Sequence, residues 1–203
     1  MRTEWLFTAP PALAVLFVAG LAVAQSPARH SPGIVEQRIA GLRVGDRFDT
    51  AKRLFPNLKM TGGSGVWTVR VGRNCKLEVV TAETERPNGK IEVITMERFD
   101  PKDVRTDSAC DETKIGAGLS FGAKLGDLNR AYKPISVAEP GEDPSLYRKD
   151  NGPDCLTGRS SELRSMFVYW SNSNSRIEVF SVEASRRSCA EYRSTETERN
   201  AKE

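Results

Sequence analysis

Histidine is nearly absent from this 203-residue chain, in which His30 is the only one. It lies beside Ser31 and Pro32, in a stretch without the periodicity of a helix or a strand. A Ser-His-Asp or Cys-His arrangement needs a histidine that the fold holds in place. We therefore expect no catalytic residues of this kind, and a non-catalytic protein.

Closely spaced metal ligands are lacking as well. The chain has four cysteines, and no two of them lie within the spacing of about two to four residues that zinc sites use. The only histidine is far from all of them in the sequence. The sequence therefore predicts no metal site and no cofactor.

An excess of one charge is also missing. The chain has 30 basic and 27 acidic side chains, a formal net charge of +3, and the two signs are interspersed. Proteins that bind nucleic acids or membrane surfaces usually concentrate basic residues on one element. We therefore expect no nucleic-acid partner.

A long apolar run is the last absence. The run ALAVLFVAGLAVA at 12–24 is shorter than the about 20 residues that a spanning helix needs. It follows Arg2 and ends in Ala22-Val23-Ala24, which is typical of a signal-peptidase site, so residues 1–24 are expected to be a signal peptide. Residue 25 is glutamine and not cysteine, so we expect no lipid anchor, no stable membrane attachment after cleavage, and a periplasmic or secreted location. An uncleaved anchor is the alternative.

What the chain does contain is internal repetition. The octets KIEVITME at 90–97 and RIEVFSVE at 176–183 are 86 positions apart. Segments 41–56 and 118–134 align without gaps at an offset of 77. In both segments apolar residues recur at the spacing of one helix face, and a proline ends the pattern. These apolar positions are Val44, Phe48, Ala51 and Phe55, then Phe121, Leu125, Leu128 and Tyr132.

Three strand patterns follow each predicted helix. They are 65–72, 76–83 and 90–97 in the first half and 144–150, 162–170 and 176–183 in the second. Strict alternation puts Ile91, Val93 and Thr95 on one face of the first octet, and Ile94 and Met96 on the other. Because both faces are apolar, we expect the two octet strands to lie inside a sheet or to join two sheets.

The predicted fold class is α+β, as one compact body. It is a tandem duplication of a helix plus a three-stranded antiparallel sheet, with repeat 1 at 39–110 and repeat 2 at 111–189. Segment 25–38 is expected to be a linker rich in serine, proline and glycine. Segment 190–203 is expected to be a polar tail.

The cysteines occupy matching places in the two repeats. Cys75 and Cys155 precede the middle strand of their repeat, and Cys110 and Cys189 follow the last one. Four cysteines permit three pairings. Duplication of a self-sufficient unit in an oxidising compartment favours Cys75 with Cys110 and Cys155 with Cys189, and the other pairings stay open.

Candidate binding residues lie in repeat 2. The acidic, proline-broken segment 138–154 is longer than its counterpart in repeat 1, and extra length in one copy of a repeat often carries function. An ordinary surface loop is the alternative. Together with nearby aromatic residues, the segment supplies five candidate ligand contacts: Tyr147, Tyr169, Trp170, Asp143 and Asp150.

Two glutamates raise an alternative function. Glu92 and Glu178 are equivalent in the two octets, and an internal two-fold axis that brought them together would give the carboxylate pair of a glycosidase. A glutamate in a strand is more often the solvated half of an alternating pattern. A carbohydrate-binding or glycan-cleaving protein is therefore the alternative to a protein-binding one.

The helix pattern Gly-Leu-x-apolar-Gly, extended to Phe55 or Tyr132 and followed by antiparallel strands, occurs twice. It resembles the pattern of β-lactamase inhibitory proteins, and it is similar to that of small bacterial envelope lipoproteins of the SmpA-like and sigma-E-regulated types. The likeness covers about two-thirds of the chain after the signal segment. It implies an exported protein-interaction module, inhibitory or scaffolding, with an envelope or secreted protein as its partner. The long cysteine spacings depart from the inhibitors, so no inhibitory loop is assigned.

Overall fold

The computed structural model describes residues 34, 37–61, 65–81, 89–100, 105–132, 136–137, 146–171 and 176–201. They belong to one compact unit, Ser31–Glu203. The expected signal peptide and most of the expected linker lie outside the described residues. The elements in chain order are α1 (Phe48–Leu54), β1 (Lys59–Met60), β2 (Val66–Val71), β3 (Cys75–Thr81), β4 (Ile91–Arg98), α2 (Ser108–Asp111), β5 (Lys114–Gly116), β6 (Leu119–Ser120), α3 (Leu125–Ala131), β7 (Ser136–Val137), β8 (Leu146–Asp150), α4 (Gly152–Leu156), β9 (Glu162–Ser171), β10 (Arg176–Ser188) and α5 (Cys189–Asn200).

Eight strands form one antiparallel sheet in the order β1-β2-β3-β4-β10-β9-β8-β7, and β5 and β6 form a separate hairpin. The first four strands come from the first half of the chain, and the other four from the second. Strands β4 and β10, which contain the two octets, pair with each other in the middle. The fold class is α+β as predicted, and the prediction that the octet strands lie inside the sheet is confirmed.

The register of β4 with β10 places the two octets symmetrically about one residue pair. Thr95 pairs with Ser181, which lies 86 positions later in the chain. Their hydroxyl oxygens are 2.8 Å apart. On either side, Ile94 pairs with Val182 and Met96 pairs with Phe180. Each octet therefore meets the other in the same way.

A β-bulge in each octet changes the expected alternation. Ile91 is buried, like Ile94, whereas Val93 is partly exposed, so Ile91 and Val93 do not share a face as strict alternation predicts. The register of β4 against β3 skips Glu92, and that of β10 against β9 skips Glu178. A bulge inserts one unpaired residue and reverses the alternation beyond it.

The two predicted helical segments contain α1 and α3, each of seven residues. Helices this short are not stable alone, so they depend on packing. The ring of Phe48 lies 4.5 Å from that of Trp67, and Tyr132, which follows α3, lies 6.4 Å from Phe180. Both helices therefore pack on one face of the sheet, where the core forms. Among the described helices, none has the length and apolar character to cross a membrane.

Arg98 occupies one end of the β4–β10 pair. Its side chain is 2% exposed and forms an ion pair of 2.6 Å with Asp111. Its Nε donates to the carbonyl of Ile177 at 2.9 Å, and the guanidinium lies 4.8 Å from the ring centre of Phe121. These contacts offset the free-energy cost of removing the Arg98 charge from water. The residue 86 positions later is Ala184, so the two ends of the pair differ.

Two expected boundaries differ from the structure. Segment 190–203, which was expected to be a polar tail, is helical as far as Asn200. It begins with a capping box in which Glu191 N donates to Ser188 Oγ and Ser188 N donates to the Glu191 carboxylate. The end of the expected linker 25–38 is part of the core, since Gln37 is 1% exposed and accepts a hydrogen bond from the Tyr132 hydroxyl.

Both disulfides join cysteines of the same half of the chain. The Cα atoms are 5.7 Å apart in Cys75–Cys110 and 5.0 Å apart in Cys155–Cys189. The predicted pairing is confirmed. The first bridge ties β3 to α2, and the second ties α4 to the beginning of α5.

We expect the double substitution Cys155→Ser, Cys189→Ser to lower the free energy of unfolding by about 4 kcal/mol, because it frees a loop of 34 residues in the unfolded chain. Urea unfolding followed by circular dichroism measures the change. The control is the wild type with both disulfides reduced, which should be less stable still. A double variant within about 0.5 kcal/mol of the oxidised wild type would contradict a stabilising role for this bridge.

Candidate functional site

The face of the sheet opposite the core is partly exposed. Cross-strand partners on it form a continuous row from Glu78 through Thr95, Ser181 and Phe167 to Arg148. None of these side chains is buried. We call this surface the open face; its members are Thr68, Arg70, Lys76, Glu78, Val80, Val93, Thr95, Glu97, Val179, Ser181, Glu183, Phe167, Tyr169, Leu146 and Arg148.

The open face is mixed in chemistry. Tyr169 is 38% exposed, and the guanidinium of Arg148 lies 5.3 Å from the ring centre of the neighbouring Phe167. Valines and hydroxyl residues occupy its middle, and charges of both signs lie among them. Exposed tyrosine, phenylalanine and arginine are enriched in protein–protein interfaces. The open face therefore carries some residue types that are common in protein–protein interfaces, together with exposed charges.

Two ionisable groups on the open face have shifted pKa values. The hydrogen bond to Glu97, at 2.9 Å, raises the pKa of the Lys76 ammonium. Partial burial raises the pKa of the Glu183 carboxyl, and the positive charge of Arg148 opposes that rise. Lys76 is therefore held as a cation, whereas Glu183 is a carboxylate with reduced hydration.

The five predicted contact residues do not form one cluster. Tyr169 lies on the open face, but Trp170 is 4% exposed and belongs to the core. Tyr147 packs against the core from β8. Asp150 ends β8 and accepts a hydrogen bond from Gly152 N at 2.9 Å. Asp143 lies outside the described residues.

The predicted binding segment 138–154 is in part regular structure. Residues 138–145 lie outside the described residues. The remainder forms strand β8 and most of helix α4. Helix α5 contacts α4 through a hydrogen bond of 2.8 Å, which Arg193 Nη1 donates to the carbonyl of Cys155. The described part of this segment is therefore tied into the fold.

Glu92 and Glu178 are not brought together. Each lies three positions before the central Thr95–Ser181 pair of two antiparallel strands, so they lie toward opposite ends of it. Six residue positions correspond to about 20 Å along a strand. Glycosidase carboxylates are about 5–10 Å apart. This geometry does not provide the predicted carboxylate pair.

The clefts on the described surface include one at the junction of the two halves and one beside the open face. One, of about 380 Å³, lies where the two halves meet, with Glu92, Glu162, Lys90 and Arg187 around an apolar floor. The other, of about 430 Å³, adjoins the open face at β1–β3 and is lined by basic residues. Within the described ranges, no three His, Cys, Asp or Glu side chains come together to hold a metal ion.

The basic residues of the second cleft were not predicted from the sequence. Lys59, Arg70 and Lys76 lie on three different strands and come together only through the register of those strands. The available signal was that each of these basic residues lies next to apolar residues in its strand, in Lys59–Met60, Val66–Val71 and Cys75–Thr81. This signal places the three side chains on a common face of the sheet only once the pairing of the strands is known.

Comparison of the chain with models of protein families, with curated proteins and with solved structures gives no match. The resemblance to inhibitory proteins and envelope lipoproteins therefore depends on the sequence pattern and stays a prediction.

We expect Glu183→Gln to stabilise the fold at pH 7 but not at pH 3. Burial raises the pKa of Glu183 in the folded protein above the ordinary glutamate value of 4.5, which applies to the unfolded chain. Protonated Glu183 therefore contributes its full stabilisation of the fold below pH 4.5, and this stabilisation is lost as the pH rises through the folded-state pKa. Glutamine stays neutral and avoids this loss. Urea unfolding at the two pH values tests this, with Glu112→Gln, at an exposed position outside the sheet, as the matched control. An equal effect of Glu183→Gln at both pH values would contradict it.

Proposed function

We propose that this protein is an exported, non-catalytic interaction module of the bacterial envelope. It binds an envelope or secreted protein partner through the open face and acts as an inhibitor or a scaffold. The observation that carries this proposal is the eight-stranded sheet, which buries one face in the core and presents the other, with mixed apolar, aromatic and charged side chains, toward solvent.

The size of the open face supports the proposal. Its members lie on the six strands from β2 to β8, which at a spacing of about 4.8 Å extend over about 24 Å, and six residues along a strand extend over about 20 Å. The product is roughly 500 Å², compared with the about 800 Å² that each partner contributes to a stable protein complex. The open face would therefore supply more than half of this protein's share of such an interface.

The rigidity of the open face supports it further. Its side chains stand on paired strands rather than on loops, and the Thr95–Ser181 hydroxyl pair bridges the two halves at its centre. A surface that is already ordered loses little conformational entropy when a partner binds.

Export is proposed from the disulfides and from the sequence at 1–24. Two disulfides that join distant residues persist in oxidising compartments such as the periplasm or the extracellular space. The signal-peptide pattern predicts the same route. A periplasmic or secreted location agrees with both.

We also infer that the chain arose by tandem duplication of a helix plus a three-stranded unit. Helices α1 and α3 begin 77 positions apart, at Phe48 and Leu125. Both octets bulge at their glutamate, and each half has its own disulfide. The open face is then a composite of both repeats, centred on their junction.

The proposal is tested by placing a photo-crosslinking residue at Tyr169 in the oxidised protein that begins at Gln25, and by incubating it with an envelope extract of the producing host. We expect one saturable protein adduct that excess unlabelled protein abolishes. The same crosslinker at Ser194, on the exposed side of α5, is the control and should not give that adduct. Adducts with glycan alone, or none, would overturn the proposal and favour the carbohydrate alternative.

We expect Ser181→Lys to reduce the yield of the Tyr169 adduct at least about tenfold, because it replaces a small hydroxyl group by a long charged side chain at the centre of the proposed interface. Ser194→Lys, the same substitution away from the sheet, should leave the yield unchanged. Circular dichroism and urea unfolding verify that both variants fold. An unchanged yield from a folded Ser181→Lys protein would show that the partner binds elsewhere.

A further inference from the structure

A basic pocket of about 430 Å³ lies at one end of the open face, where β1, β2 and β3 meet. Lys59 pairs with Thr68, and Arg70, two positions further along β2, pairs with Lys76. Since residues two apart on a strand share a face, Lys59, Arg70 and Lys76 lie together on the open side of three neighbouring strands.

Two of these three cations have no acidic partner among the described residues. Lys76 is bonded to Glu97 at 2.9 Å and lies 3.7 Å from Glu78. Lys59 makes no ion pair with the described part of the chain, and the guanidinium of Arg70 instead lies 5.1 Å from the ring centre of Phe99. Like charges that are neighbours in a sheet repel each other. An anion in the pocket would relieve this repulsion.

The remaining walls of the pocket suit a side chain that is charged at its tip and apolar along its stem. Thr61 and Thr68, whose hydroxyl oxygens are 3.2 Å apart, and the amide of Asn57 supply neutral hydrogen-bonding groups. Phe99 is 49% exposed and supplies an apolar wall. The planar guanidinium of an arginine such as Arg70 can bind both oxygens of one carboxylate.

We propose that this basic pocket binds a glutamate or aspartate side chain of the protein partner. The inference rests on the proposed function, since it names the partner's chemistry at one end of the same face. A protein carboxylate fits better than a phosphate because Glu78 and Glu97 compensate Lys76, which leaves two uncompensated cations, and because the pocket continues into the apolar and aromatic parts of the open face.

The experiment titrates the ¹⁵N-labelled, oxidised protein with a hexaglutamate peptide, with hexaglutamine and with inorganic phosphate. We expect hexaglutamate to give saturable shifts at the amides of Lys59, Arg70 and Lys76, with an affinity that falls as salt is added. Hexaglutamine should give none, and phosphate should need a higher concentration than the acidic peptide.

Substitutions identify the groups that bind the peptide. Arg70→Gln and, separately, Lys59→Gln should each weaken hexaglutamate binding, Arg70→Gln at least about tenfold because it removes a charge-assisted pair. Lys114→Gln, at an exposed lysine of β5, is the matched control and should bind the peptide as the wild type does. Spectra of the free variants that overlay on the wild type outside the substituted site establish that they fold.

Four outcomes would each overturn the inference: no saturable shifts at millimolar hexaglutamate, equal binding of hexaglutamine, saturation by phosphate at a lower concentration than the peptide, or unchanged binding by both folded variants. The proposed function is tested separately by the Tyr169 adduct. Failure of the peptide titration while that adduct persists and responds to Ser181→Lys rejects the carboxylate pocket alone.

Discussion

The antiparallel pairing of β4 with β10 is the interaction on which the rest of the structure depends. Without it, each half of the chain would be a small sheet with an unpaired central edge, and such edges invite association with other strands. The pairing puts Met96 opposite Phe180 in the core and Thr95 opposite Ser181 on the open face. One backbone register therefore creates both the continuous core and the continuous surface that we propose for binding. The short helices α1 and α3 then have a broad apolar face on which to pack, and packing is what stabilises helices of their length.

The two ends of this pair are closed in different ways. Near Glu178, the guanidinium of Arg98 fills the space between β10 and the segment before α3, where it meets a carbonyl, a carboxylate and an aromatic ring. At the other end, Ala184 occupies the corresponding position, and the cleft of about 380 Å³ lies there instead. The long side chain of Arg98 thus fills one end of the pair, whereas a cleft adjoins the short side chain of Ala184 at the other end.

Local patterns made much of the fold predictable. Strands β2, β3, β4, β8, β9 and β10 begin and end within five residues of the alternating segments, whereas the short strands β1, β5, β6 and β7 were not predicted. The disulfides follow from the positions of Cys75, Cys110, Cys155 and Cys189 in the two halves. Alternation shows which residues share a face but not which face is buried, so the buried Trp170 and the exposed Tyr169 were equivalent candidates. The capping-box pattern Ser188-x-x-Glu191 was present in the sequence and would have identified α5. Long-range features could not be predicted, because the separation of Glu92 from Glu178 and the grouping of the basic residues both depend on strand register.

The difference between a symmetric backbone and an asymmetric surface bears on what the open face can recognise. The end formed by the first half of the chain presents Arg70 and Lys76, next to Lys59 of β1, whereas the end formed by the second half presents Phe167 and Tyr169 beside Arg148. A two-fold symmetric ligand would meet different chemistry at the two ends and would be matched at only one of them. A single asymmetric partner, acidic where it meets the basic pocket and apolar where it meets the aromatic residues, is matched along the whole face. Reversing that partner would put its carboxylates against the aromatic end and leave the cations uncompensated, so the proposed partner would bind in one orientation.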